Sequence, residues 1–179
     1  MSEVFDDRVE YAIQNIWVNF RSGNGEQAMR GLQEAAQEGN GDACYFLARC
    51  YSGPCYVDPG FGFESDDDKA EEWYNKSIEL GSAVGMMGAM RVGGFKPRCG
   101  SFVHEPYTSK REIWDKVVEL ARGGQIFCKY MVANAYYYGD AVELAGLKIN
   151  GAQDVCSLQR KAIQIYEEIL AQGMAMGLG

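Results

Sequence analysis

The sequence predicts an all-α protein, an α/α solenoid built from stacked helix pairs. Three observations carry the prediction. First, an amphipathic segment ending in glycine is written four times, over residues 27–39, 68–81, 113–123 and 161–173. The closing glycines, Gly39, Gly81, Gly123 and Gly173, lie 42, 42 and 50 residues apart. Glycine takes the left-handed conformation that stops a helix, and periods of this length mark helical repeats. Second, another pattern follows each glycine: Ala43…Leu47-Ala48…Tyr51, Ala83…Met87-Gly88…Arg91, and Cys128…Val132-Ala133…Tyr136. Offsets of four, five and eight share one helical face, and the small residue at the fifth lets a neighbouring helix approach. Third, the chain has four prolines, none inside an expected helix.

Eight helices follow in order. The first, over residues 5–21, places Phe5, Val9, Ala12, Ile13, Ile16, Trp17 and Phe20 on one apolar face. It reads as a cap on the open end of the stack, so residues 1–25 form a capping unit and residues 26–179 the repeats. The turn Ser22-Gly23-Asn24-Gly25 ends it. Helices are then expected near 26–38, 42–52, 67–80, 82–92, 109–122, 125–138 and 155–172. Asp66, Ser109 and Asp154 are the expected N-caps of the later second helices. Trp73, aligned with Ile113 and Ile165, is expected to be the more buried of the pair Trp73-Tyr74, with Tyr74 on the seam between helices. Three long inserts stand between helices of a pair: Gly53 to Asp66, Gly93 to Thr108 and Gly139 to Asp154. Inserts at one point of successive repeats emerge on one edge, where they either serve function or cover that edge.

These motifs resemble the Sel-1-like repeat, a relative of the tetratricopeptide repeat. That pattern reads A-x-x-x-L-G-x-x-Y-x-x-G, an insert, then D-x-x-K-A-x-x-W-Y-x-K-A-A-x-x-G. Residues 68–81 match it almost letter for letter, and the resemblance covers residues 26–179. Two positions depart from it: Arg91 replaces the tyrosine, and Lys110 falls at a usual alanine. The resemblance implies antiparallel helix pairs stacked into a right-handed superhelix, with a role in protein–protein interaction or complex assembly.

Charge and composition narrow the partners. The chain has 179 residues and an apolar fraction of 47%, enough to bury a core. Its 17 Lys and Arg against 25 Asp and Glu give a net charge of −8 without a basic cluster, which argues against nucleic acid. The acidity serves solubility or attracts a basic partner. No apolar run approaches the roughly 18 residues of a membrane span. The N-terminus lacks the order of a signal peptide, so a cytoplasmic location is expected. The six cysteines, Cys44, Cys50, Cys55, Cys99, Cys128 and Cys156, offer no regular pairing between helices, and reduced thiols are expected.

Catalytic constellations are sparse. His104 is the sole histidine, which excludes a two-histidine metal site. Cys55, Cys99 and His104 lack the paired spacing of a zinc site, and a Cys–His nucleophile would need His104 from a loop. Gly60-Phe61-Gly62 lacks the lysine of a phosphate loop. Asp66-Asp67-Asp68 suits a helix start better than a calcium loop. Glu167-Glu168 reads as helix surface. No cofactor or metal is expected, and the chain reads as a non-enzyme.

The remaining candidate is a groove lined by first helices. If offsets zero, four, five and eight are buried, offsets two, three, six and nine face the groove. These are Tyr45, Phe46, Arg49 and Ser52, then Gly85, Met86, Ala89 and Val92, then Tyr130, Met131, Asn134 and Tyr137, with Tyr138 beside it. Tyrosine, methionine and arginine are enriched in binding centres. The expected function is a protein-interaction scaffold holding a peptide or helix of a partner protein. An immunity or inhibitor protein neutralising a basic toxin, and a repeat-based hydrolase using Cys and His, are the alternatives. A further first helix begins at Met174 and reaches Leu178-Gly179. Val132, Ile165, Ile169 and Leu170 are therefore expected to be exposed, with self-association through that end.

Overall fold

A computed structural model describes residues 4–52 and 64–173. Every regular element among them is helical. The helices are α1 (Asp7–Ala12, continuing as a π-helical turn over Ile13–Val18), α2 (Gly25–Gln37), α3 (Gly41–Tyr51), α4 (Asp67–Glu79) and α5 (Ala83–Ala89). Then come α6 (Lys110–Arg122), α7 (Ile126–Tyr138), the short α8 (Asp140–Leu144) and α9 (Ala152–Ala171). Packing largely follows chain order: α1 on α2, α2 on α3, α3 on α4, α4 on α5, α5 on α6, α6 on α7 and α7 on α9. No helix among the described residues is long and apolar enough to cross a membrane.

Cap chemistry fixes the phase of the helix pairs. Asn40 accepts the Ala43 N–H at 2.9 Å, and Ser82 accepts the Gly85 N–H at 3.0 Å. Gln125 holds the same place before α7. Each follows a left-handed glycine: Gly39, Gly81 and Gly124, with φ of +91°, +78° and +103°. Gly123, the expected stop, is instead right-handed at φ −70°, and the turn comes one residue later. This phase equates Ala43 with Gly85 and Cys128. The second copy thus sits two residues beyond Ala83, the position that spacing suggested, because Ser82 is the better N-cap.

The second helices start by the same chemistry. The Asp66 carboxylate accepts the Lys69 N–H at 3.0 Å. Ser109 Oγ accepts the Glu112 N–H at 3.2 Å, and Glu112 accepts the Thr108 N–H at 2.7 Å, a reciprocal capping pair. Asp154 is not a cap. Gly151 precedes α9, and Asp154 lies in its first turn, accepting the Asn150 N–H at 2.8 Å. The matching caps pair Tyr74 with Val117, not with Trp114 as spacing suggested. Accordingly Tyr74 is buried and Trp73 is only half-buried, with the Lys76 ammonium 4.4 Å from its ring centre.

The N-terminal segment packs on more than the first pair. Its π-helical turn changes the register after Ile13, so Phe20 leaves the buried face and is 37% exposed. Trp17 is carried inward to Phe46 of α3 and Phe127 of α7, at 5.1 and 5.7 Å between ring centres. Glu10 accepts a hydrogen bond from Gln125 at the start of α7. The segment therefore bridges α2, α3 and α7.

Two inserts pack back on the helices. In residues 93–109, Arg98 donates to Glu72 and Glu79, and its backbone N–H bonds Asn75 Oδ1 at 2.7 Å. Phe95 stacks on Tyr74 at 5.7 Å and on Phe102 at 6.1 Å. The third insert contains α8, where Arg111 donates to the Ala145 carbonyl and Lys110 pairs with Glu143. Residues 53–63 of the first insert, with Cys55 and Gly60-Phe61-Gly62, lie outside the described residues, as does the segment from Met174. The set expected to be bare at the C-terminal end is corrected. Val132 and Ile169 are buried where α7 meets α9, Ile165 is half-buried, and only Leu170 is exposed.

Two comparisons test this packing. Tyr74→Ala is expected to cost about 3–5 kcal/mol in chemical denaturation, and Trp73→Ala less than about 2 kcal/mol. The reverse order would show the cap-derived phase to be wrong. Gly39→Ala carries only the left-handed backbone cost of about 1–2 kcal/mol, since nothing lies within 4 Å of the added carbon. At Gly81 that carbon would meet the Glu105 carbonyl oxygen at 2.7 Å, so Gly81→Ala is expected to lose clearly more.

Candidate functional site

The corrected phase brings the first helices together around one cavity. Counting from Ala43, Gly85 and Cys128, the second offset holds Tyr45, Met87 and Tyr130. The third holds Phe46, Gly88 and Met131, and the sixth holds Arg49, Arg91 and Asn134. Of these nine residues, all but Phe46 line a cavity of about 420 Å³, with Ser52, Tyr74, Val92, Gly93 and Tyr138 completing the wall. The volume suits a few side chains of a ligand.

Behind Tyr45 and Tyr130 of the wall lies a cluster of aromatic rings. Phe127 stands 4.8 Å from Phe46, 6.1 Å from Tyr45 and 5.6 Å from Tyr130. These contacts draw the starts of α3 and α7 together. α5 packs closely on α3 because Gly88 has no side chain: a Cβ there would lie 2.2 Å from the Tyr45 ring.

The remaining wall combines Met87, Val92 and Met131 with a set of polar groups. Arg49 donates to the Tyr45 hydroxyl at 3.3 Å, and its guanidinium carbon stands 5.5 Å from the Phe127 ring centre. Ser52 donates to the Ala48 carbonyl at 2.7 Å and so accepts from the Tyr74 hydroxyl at 3.0 Å. Arg91 pairs with Asp140 at 2.5 Å and lies 5.0 Å from the Tyr138 ring centre. Asn134 accepts from the Tyr166 hydroxyl. The α8 insert thereby steadies the mouth through Asp140. Burial pushes the Tyr45 phenol up to about 12, with Arg49 opposing, and burial pushes Tyr166 up to about 12. Both remain neutral hydrogen-bonding groups at physiological pH.

The expected groove residues divide clearly. Tyr45, Arg49, Ser52, Val92, Tyr130, Met131, Asn134 and Tyr138 share the cavity wall. Phe46 and Met86 have no exposed surface and lie outside the wall; Phe46 belongs to the aromatic cluster around Phe127. Gly85 and Ala89 are likewise buried. Tyr137 is 42% exposed but lies outside the wall, its ring 6.3 Å from Tyr166. Spacing missed Met87, Gly88 and Arg91 through the two-residue slip, for which the Ser82 cap was the available signal. It missed Tyr74 because a second-helix residue reaches through to the first-helix side.

The other candidate chemistry stays dispersed. Among the described residues no group of three His, Cys, Asp or Glu could hold a metal. His104 is half-buried in the second insert, and the exposed Cys99 thiol donates to the Ser101 carbonyl at 3.1 Å. Glu167 and Glu168 are exposed, as expected. Cys44, Cys50, Cys99, Cys128 and Cys156 are free thiols.

Burial gives these groups a pH signature. It raises the Cys44 thiol from 9.0 to about 11, and Cys50 and Cys128 further. For each raised thiol or phenol the neutral form is favoured in the fold. The stabilisation is complete below the ordinary values of 9.0 for thiols and 10.0 for phenols, and is lost as pH rises through about 11 and 12. The urea midpoint should fall steeply across that alkaline range; a flat profile to pH 12 would contradict the burial of Tyr45 and the three thiols. At neutral pH a thiol reagent should modify Cys99 and Cys156 in the native protein, and Cys44, Cys50 and Cys128 only after unfolding.

Comparison with known proteins returned no match: no family model, no curated protein and no solved structure aligns with the chain.

Proposed function

We propose that the chain is an interaction scaffold, a right-handed α/α solenoid of the Sel-1-like, tetratricopeptide-like kind, that holds a peptide or helix of a partner protein. One observation carries the reading: α3, α5 and α7 present the same cap-relative positions to a single cavity. A stack of similar helix pairs lines its inner side in this way, and such inner surfaces bind partners. The cavity offers what peptide recognition uses: the guanidinium groups of Arg49 and Arg91, the amide of Asn134 and four tyrosine rings. Free thiols support the accompanying cytoplasmic assignment. In this reading the protein binds rather than catalyses.

A displayed-peptide library tests it. Peptides selected on the native chain should lose roughly tenfold or more in affinity on Tyr138→Ala and on Asn134→Ala. Both substitutions lie at the partly exposed mouth, so circular dichroism should be unchanged. Selected peptides that bind both variants as tightly as the native chain would place recognition elsewhere and defeat the proposal.

A further inference from the structure

α9 has a second apolar line besides the one that packs on α7. Leu158, Ala162 and Ile169 are buried. Val155, Ile163 and Leu170 are 44%, 47% and 48% exposed. Their separations of eight and seven residues put them on one side of the helix. Half-buried Tyr166 joins that side, and Tyr137 of α7, 42% exposed, extends it. The whole chain is acidic, yet this line carries a balanced pair of charges. Arg160 and Glu167 flank it, one helical heptad apart, with Ile163 between them. Both are exposed, and neither is in an ion pair among the described residues.

This arrangement complements itself in one orientation only. When two copies of α9 lie antiparallel about an axis beside Ile163, Arg160 of each copy faces Glu167 of the other, giving two ion pairs. In a parallel pair like charges would face each other at both positions. A surface that satisfies its own charges through a two-fold axis is the property of an isologous dimer interface. We propose that this face of α9 binds a second copy of the chain, α9 antiparallel to α9, with Ile163 at the crossing and Arg160–Glu167 pairs on its flanks. α9 is about 30 Å long, from 20 residues at a rise of about 1.5 Å. One helix face is smaller than the roughly 800 Å² per partner of a standard interface, so the dimer is reversible and concentration dependent. The proposal does not rest on what the cavity binds.

Sedimentation equilibrium of the whole chain over a wide concentration range tests it. The native protein should show a monomer–dimer equilibrium with no larger species. Ile163→Glu should be monomeric throughout, with an unchanged helical spectrum, since the side chain is half exposed. Arg160→Glu and Glu167→Arg should each weaken the dimer roughly tenfold, as attraction at two sites becomes repulsion. The double exchange R160E/E167R should restore it, and so should an equimolar mixture of the two single variants. A native chain that remains monomeric would overturn the proposal, as would a dimer indifferent to Ile163→Glu or single reversals that leave association unchanged.

Discussion

Phe127 is the contact on which the rest of the arrangement depends. It is fully buried and meets Trp17, Tyr45, Phe46 and Tyr130 within 6.1 Å, while the Arg49 guanidinium lies over its ring. Aromatic pairs contribute about 0.5–1.5 kcal/mol each beyond the area they bury. Together they hold α3 against the start of α7. The cavity adjoins that cluster through Tyr45 and Tyr130 and is lined further by Arg49, Arg91 and Tyr138. Gly88 is the complementary condition, because the Tyr45 ring occupies the space that a side chain at position 88 would need.

Most of the helical content was legible because its signals are local. Glycine stops, N-caps and apolar spacing each act within a turn or two of chain. Ala28, Leu32 and Ala35 of α2 and Ile113, Val117 and Leu120 of α6 could be assigned to a buried face on spacing alone. The phase between pairs was harder. Ala83, Met87 and Gly88 satisfy the small–large pattern as well as Gly85 and Ala89 do, and only Ser82 bonding to Gly85 distinguishes them. A separate slip, of three residues between α4 and α6, misplaced Trp73 relative to Tyr74. The phase decides where the expected groove residues fall: from α3 and α7 Tyr45, Arg49, Tyr130, Met131, Asn134 and Tyr138 reach the cavity wall while Phe46 and Tyr137 do not, and on α5 Gly85, Met86 and Ala89 are buried away from it. The contacts of Trp17 with Phe46 and Phe127 had no local signal. They join residues far apart in sequence through a π-helical turn that spacing does not reveal.

The two inserts within the described residues act as braces. Arg98 reaches across α4 to Glu72 and Glu79, which hold its guanidinium above the ordinary range while Arg98 draws the Glu79 carboxyl below its own. Exposed ion pairs of this sort add little stability, typically below about 1 kcal/mol. Their effect is positional: the insert fixes Phe95 over Tyr74, and Tyr74 supplies part of the cavity wall. Asp140 does the same for Arg91 from the other side. The surface that could meet a partner is thus set by segments that lie outside the regular helix pairs.

The bridge made by the N-terminal segment also bears on how the molecule comes apart. A stack in which each element touches only its neighbours can fray from either end, one unit at a time. Here Glu10 bonds to Gln125, and Trp17 lies between Phe46 and Phe127, so the first helix and the seventh are direct neighbours. Long-range links of this kind raise the contact order, slow the search for the native arrangement and make melting all-or-none. Losing the N-terminal helix would loosen the middle of the chain as much as its beginning. Within the described residues the packing therefore holds the N-terminal helix and α7 in one cooperative body rather than in a row of separable units.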